Sequence, residues 1–158
     1  MEQHAPSEHT KHYRILAAMI VLSFISMYIL MYSMVNSFSN VFPNTNQFYM
    51  ASLMTMPMII IEIVLMRSMY MNRKWNIAIL SSAIIGLIAF FMLIQKQAAV
   101  NDKQFLKSMI PHHGAAILMA KEAIIQDPEI KILCEKIIRD QQSEIEQMKA
   151  KLKEINKK

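Results

Sequence analysis

Residues 75–94 read WNIAILSSAIIGLIAFFMLI. Only Asn76, Ser81 and Ser82 interrupt this apolar run, and none of its residues is charged. An α-helix of this length spans roughly 30 Å, which is the thickness of the hydrocarbon core of a bilayer. The run therefore predicts a transmembrane helix rather than a strand or a buried helix of a soluble domain.

Two further apolar runs precede it. One covers residues 15–35, and the other covers residues 48–66 with Glu62 as its only acid and Pro57 as its only proline. Three such runs, separated by short polar connectors, predict three spans at about 15–35, 48–66 and 75–94. The first run is followed by no small-x-small cleavage site, so we expect it to be a retained anchor rather than a signal peptide.

The basic residues predict the orientation. Lys11 and Arg14 precede the first span, and Arg67, Arg73 and Lys74 lie between the second and third spans, whereas the connector between the first two spans has no charge. The positive-inside rule then predicts a cytoplasmic tail over residues 1–12, a membrane region over 13–96 and an outward-facing domain over 100–158. For a bacterium this means the inner membrane, with the last domain in the periplasm.

The composition excludes several classes of protein. Two glycines exclude a glycine-rich phosphate loop, and the single cysteine, Cys134, excludes an internal disulfide framework and a CxxC pair. The net charge is +5 for the whole chain, and in the soluble tail the basic residues are interspersed with acids, so no nucleic-acid partner is expected. The chain contains sixteen methionines, and this abundance of thioether sulfur is its unusual chemical feature.

Some of these methionines form a stripe in the second span. Met50, Met54, Met58 and Met66 follow each other with Glu62 at intervals of four residues. Such a stripe either offers thioethers to a soft metal ion or fills gaps between helices, and the sequence leaves both interpretations open. An intramembrane carboxylate is a functional candidate, although Glu62 is also placed to reach the interface or Arg67.

The last domain has the pattern of two amphipathic helices. Asp102 is a candidate cap for the first, Pro111 predicts a kink or restart near residues 108–111, and Asp127-Pro128-Glu129 is a strong start signal for the second. We expect an all-α protein: three transmembrane helices followed by a soluble antiparallel helical hairpin. Because two helices bury little apolar surface, we expect the hairpin to be completed by docking on the spans or by pairing of two hairpins into a four-helix bundle.

Histidine and methionine are concentrated in the first of these helices. Met109, His112, His113 and Met119 fall within about two to three turns, and Met148 on the second helix adds a further sulfur across the hairpin. Imidazole suits copper, nickel and zinc, whereas thioether selects Cu(I) and Ag(I). These five residues are the candidate metal ligands, and a kinked helix whose histidines have only a structural role is the alternative. No acid–base pair or cofactor motif accompanies them, so no catalytic residue is predicted.

The same region resembles a known family. Residues 102–113, together with Ala116, Ile117, Met119 and Ala120, resemble the hallmark of the domain of unknown function 305 family, and residues 133–148 resemble its second half. The resemblance implies a ferritin-like helical bundle similar to copper- and silver-binding periplasmic proteins of the CopM type. It also implies metal ligands at Met109, His112, His113, Met119 and Met148. One departure is Gly114, where many members have glutamine.

The leading hypothesis is a multi-pass membrane protein that binds Cu(I), or Ag(I), outside the cytoplasm and buffers it or transfers it. Its expected partners are membrane lipid, the metal ion, a second copy of the chain and a copper-handling protein. Two alternatives remain open. One is a copper-dependent oxidoreductase, which would also need an open coordination position and a substrate pocket. The other is a helical interaction module without metal.

Overall fold

A computed structural model describes residues 6–157, and these residues form five α-helices and no strand. The helices are α1 (Pro6–Leu30), α2 (Thr45–Leu65), α3 (Arg73–Gln95), α4 (Asp102–Glu122) and α5 (Pro128–Ile155), with short 3₁₀ helices at Met31–Met34 and Phe38–Asn40. The predicted all-α class is therefore confirmed. Residues 1–5 of the expected cytoplasmic tail lie outside the described residues.

Three helices are long and apolar enough to cross a membrane. They cover Thr10–Met34, Thr45–Leu65 and Arg73–Gln95, close to the three predicted runs. Helix α3 begins where Asn72 accepts hydrogen bonds from the backbone N–H groups of Lys74 and Trp75, as an N-cap does. Most side chains along the first and third of these helices are exposed, which suits helices that lie in lipid.

The chain divides into two compact units. The first comprises residues 1–30 and 48–98, and the second comprises residues 31–47 and 99–158. In the first unit, Leu16, Ile63 and Tyr70 form a buried cluster. Asn76 joins two tyrosines beside it: the Asn76 amide donates to the Tyr70 carbonyl at 2.6 Å, and its Oδ1 accepts from the Tyr13 hydroxyl at 2.7 Å.

In the second unit, α4 and α5 pack against each other. Their core consists of Ile110, Ile117, Ile145 and Leu152, each at most 5% exposed. Phe42, Leu106 and Met148 pack against this cluster and are themselves half-buried. Residues 31–47, which we call the connector, thus supply part of the core through Phe42.

The ends of α4 and α5 follow capping rules. Asp127 caps α5 by accepting from the N–H groups of Glu129 and Ile130, as predicted. The cap of α4 is Asn101, which accepts from the Gln104 N–H at 3.0 Å, so the expectation of Asp102 was wrong by one residue. Asp102 instead lies in the first turn, where its negative charge interacts favourably with the helix dipole.

Pro111 lies inside α4, and the helix continues through it without a break. Of the predicted kink or restart near residues 108–111, the restart is therefore wrong. Proline lacks an N–H, which leaves the carbonyl of Lys107 without its helical donor. The Nδ2 atom of Asn44 lies 3.5 Å from that carbonyl oxygen, so the connector provides a replacement donor, although a weak one.

Other polar contacts also hold the connector to the helix pair. The Thr45 N–H donates to Gln104 Oε1 at 3.0 Å, and Lys149 Nζ donates to Ser39 Oγ at 3.3 Å. A Cβ atom at Gly114 would lie 2.7 Å from Asn36 Oδ1. Glycine at position 114 therefore allows the connector to approach α4 closely, which gives a physical reason for this residue.

Candidate metal centre

His113 is buried between α4 and α5, and both of its ring nitrogens have partners. Its Nδ1 lies 3.0 Å from the carbonyl oxygen of Met109, one helical turn earlier. Its Nε2 lies 2.6 Å from Oε2 of Glu144 on α5. Carbonyl and carboxylate oxygens only accept hydrogen bonds, so both contacts are satisfied together when the ring carries two protons. In this arrangement His113 offers no free nitrogen to a metal ion.

His112 is in the opposite situation. Its side chain is exposed, and it makes no hydrogen bond with any residue that the structure describes. Consecutive helical residues point about 100° apart, so one imidazole faces the core and the next faces solvent. The centroids of the two rings are 6.1 Å apart, with their planes inclined at 62°. Of the two imidazoles, the exposed ring of His112 is therefore the one that an ion in solution can reach.

Some of the predicted thioether ligands face solvent and others face the core between α4 and α5. Met119 is 53% exposed and follows His112 by seven residues, which places both on the same face of α4. Met109 is half-buried, and its carbonyl rather than its sulfur contacts His113. Met148 is half-buried against the Ile110 cluster. The structure thus separates a solvent-facing pair, His112 and Met119, from a core-facing group.

The donor set has a chemical consequence. Among the side chains that the structure describes, those of residues 10–157, no three of His, Cys, Asp or Glu lie close enough together to hold a metal ion. Cys134 has a free thiol and is half-buried on α5. The predicted ligands on α4 include the thioether sulfurs of Met109 and Met119, and thioether favours soft monovalent ions over zinc, calcium or magnesium.

Glu144 is the residue at this centre to which the sequence analysis gave no role. Its side chain is 55% exposed, so it reaches inward to His113 from the rim of the helix pair. The available signal was weak: Glu144 directly precedes Ile145, a core position, and a histidine facing a core needs a polar partner. Pairing it with His113 from sequence alone required the register of the two helices.

The second candidate region is the methionine stripe with Glu62 in the second span. Among the described residues, its side chains do not come together as those around His113 do. Glu62 accepts a hydrogen bond from the Tyr70 hydroxyl at 3.1 Å rather than pairing with Arg67 among the described contacts. Two effects raise the pKa of Tyr70 to about 12: its hydroxyl is buried, and the Glu62 carboxylate lies beside it. In the methionine stripe, Met50 and Met58 are half-buried and Met54 is exposed. These surroundings suit packing residues as well as ligands.

Comparisons with known proteins agree with the resemblance. A family model described as "Domain of unknown function (DUF305)" matches residues 91–152, a region that contains all five predicted ligands. An uncharacterized protein of Acanthamoeba polyphaga mimivirus is 36% identical over 143 residues, which cover 89% of this chain and 92% of the viral protein. That similarity must include most of the apolar helices. No solved structure matches this chain.

Proposed function

Since this chain belongs to the DUF305 family, we propose that it is a membrane-anchored protein whose α4–α5 hairpin binds Cu(I), or Ag(I), for buffering, resistance or transfer to a partner. The observation that carries the proposal is His112, an exposed imidazole that makes no hydrogen bond with any described residue. It lies next to a second histidine and on the same face as Met119. A surface histidine with free nitrogens is a natural ligand for copper.

The five residues act in two stages in this proposal. His112 and Met119 bind first, because both are exposed. His113 then becomes a ligand only when Glu144 leaves its Nε2 atom. Since more than half of the Glu144 side chain is exposed, its carboxylate can turn into water at little cost. Met109 and Met148 supply further sulfur as the site closes.

The membrane placement is also part of the proposal. The helix ends near Arg14, Arg73 and Lys74 lie on the cytoplasmic side, and the hairpin lies outside. In a bacterial host the protein would be in the inner membrane, with the hairpin in the periplasm. Thioether ligands that bind soft ions without a buried cage suit exchange with a partner protein better than permanent storage.

Anaerobic competition titration of the full-length protein in detergent tests this function. Cu(I) is delivered from a chromogenic chelator to the wild type, to His112→Ala and to Met119→Leu. Two control variants are matched in chemistry: His12→Ala on α1 and Met92→Leu on α3, whose methionine is 52% exposed. We expect both site variants to bind at least about tenfold more weakly, because each removes a ligand from a site with few donors. Wild-type binding no tighter than that of His112→Ala would reject the proposal.

An interaction module is a second candidate, favoured by exposed apolar side chains near the turn between α4 and α5. Ile124 is 94% exposed, Ile132 is 67% exposed and Leu133 is 53% exposed. Exposed apolar residues clustered in sequence often mark a protein interface. If this is the function, Leu133→Ser abolishes capture of a partner by the full-length protein while His112→Ala leaves capture unchanged. The opposite pattern supports metal transfer.

A further inference from the structure

The first unit contains two neighbouring cavities of different character. One, of about 430 Å³, is open at the basic end of the helices. It is lined by Thr10, Tyr13, Arg14, Ala17, Asn72 and Trp75. It therefore combines a guanidinium group, an indole ring and polar side chains at the edge of an apolar region. Tyrosine and tryptophan prefer this depth, where apolar and polar surroundings meet.

The second cavity, of about 460 Å³, is apolar and shares Trp75 with the first. Its lining continues along α3 through Ala78 and Ser82 to Phe90. At about 1.5 Å per residue, the distance from Trp75 to Phe90 along the helix is about 22 Å. A polar cavity next to a long apolar groove matches a phospholipid in shape and polarity: the first would hold the headgroup and the second an acyl chain.

Basic side chains flank the residues that line the polar cavity. Arg14 makes no ion pair or hydrogen bond with any residue whose side chain the structure describes. Lys11 is exposed on the same helix as Arg14, and Arg73 and Lys74 are exposed beside the lining residues Asn72 and Trp75. Glu62, an acid whose side chain is described at this end, accepts from Tyr70. A guanidinium group binds phosphate oxygens through two N–H donors, so a free arginine here favours a phosphate group.

Two features of the lining fit the rest of a headgroup. The Trp75 indole N–H makes no hydrogen bond among the described residues and can donate to a phosphate or ester oxygen. The N-terminus of α3, which Asn72 caps, adds the partial positive charge of a helix end. The Tyr13 hydroxyl, in contrast, is already used as a donor to Asn76.

We propose that this pair of cavities binds one anionic phospholipid, with its phosphate on Arg14 and one acyl chain along α3 from Trp75 towards Phe90. A net negative headgroup is selected because the exposed cations at this end repel the quaternary amine of a zwitterionic lipid. The proposal concerns the first unit alone and does not depend on metal binding at α4.

Native mass spectrometry of the delipidated full-length protein in detergent, without added metal, tests the site. The probes are phosphatidylglycerol and phosphatidylcholine with identical acyl chains, and glycerol 3-phosphate as a headgroup without chains. We expect tighter retention of phosphatidylglycerol than of the other two. Arg14→Gln weakens that retention about fivefold, whereas the control Arg67→Gln, at the same end but outside the cavity lining, does not.

A second pair of variants tests the groove. Ala78→Phe fills the lining of the apolar groove, whereas Ala89→Phe places the same ring on an exposed position of α3 outside it. Ala78→Phe weakens retention of phosphatidylglycerol and Ala89→Phe does not. Equal retention of the two lipids, or equal effects of the two arginine variants, overturns the proposal. Binding of glycerol 3-phosphate as tight as that of the lipid also overturns it, in favour of a soluble phosphate ligand.

Discussion

The Nε2 atom of His113 on α4 lies 2.6 Å from Oε2 of Glu144 on α5. This contact joins the two helices through a residue pair that also lies within the candidate metal centre. The same carboxylate therefore stabilises the helix pair and occupies a nitrogen that a metal ion would need. Stability and metal binding are expected to respond in opposite directions when the carboxylate is removed.

Glu144→Ala tests that expectation. The pair is partly exposed, so its loss lowers the free energy of unfolding by about 1 kcal/mol. Because the freed Nε2 atom no longer has a competing partner, Cu(I) binding becomes about fivefold tighter, the same energy expressed as affinity. Hydrogen exchange of α4 and α5 measures the first effect, and competition titration measures the second. The control is Glu135→Ala, an exposed acid on α5. Weaker Cu(I) binding in Glu144→Ala would instead identify Glu144 as a ligand.

Gly114→Ala tests the close approach of the connector to α4. The new Cβ would lie 2.7 Å from Asn36 Oδ1, and that oxygen cannot turn away without losing the hydrogen bond from Asn40 Nδ2 at 2.8 Å. We expect a loss of about 1 kcal/mol, the net value of one hydrogen bond. Hydrogen exchange of residues 31–47 in the full-length protein measures it. The Asn36→Gly variant already lacks both this oxygen and its hydrogen bond, so adding Gly114→Ala to it should cause little further loss. A full further loss of about 1 kcal/mol in that background would argue against this contact.

Phe42→Ala tests whether the connector belongs to the core of the second unit. Phe42 is half-buried against the cluster of Ile110 and Ile145, so its truncation destabilises the helix pair by about 2 kcal/mol, less than for a fully buried ring. Phe38→Ala is the matched control, because Phe38 is 93% exposed. Proteolysis of the full-length protein, followed at sites in α5, reports the difference. Equal protection from proteolysis in the two variants would show that Phe42 does not stabilise the core of the helix pair.

Tyr70 predicts a dependence of stability on pH. Burial and the Glu62 carboxylate raise its pKa to about 12, whereas an unfolded tyrosine has a pKa of about 10. The folded state thus retains a proton that the unfolded state loses, so the stabilisation is complete below pH 10 and disappears as the pH rises from 10 to 12. The melting temperature of the wild type should fall more steeply over this range than that of Tyr70→Phe. Parallel curves would contradict the assignment.

The local features of the fold could be predicted, whereas most contacts distant in sequence could not. The three apolar runs and the Asp127 cap are properties of short segments, and the structure confirms them. The role of the connector could not be predicted, because Phe42 and Asn44 lie 60 or more residues from their partners on α4. A helical period shows which face of α4 is apolar but not what covers it.

The candidate site shows the same limit. Composition and spacing identified His112 and His113 as a pair, and the structure gives them different surroundings. Which of two adjacent histidines faces the core depends on a rotation of about 100° about the helix axis, and Pro111 made that rotation uncertain. The partner of His113, Glu144, is set by the register of α5 against α4.

The hydrogen bond between Ser39 and Lys149 spans 110 residues of sequence. At ordinary rates of translation the connector leaves the ribosome roughly 5–20 s before its last partner is made. During that interval Phe42 and the asparagines of the connector have no helix pair to cover them. Biogenesis of this protein therefore includes a waiting period in which the first loop between spans is complete but unassembled. Chains that end before α5 would keep that loop exposed to proteases and chaperones for their whole lifetime.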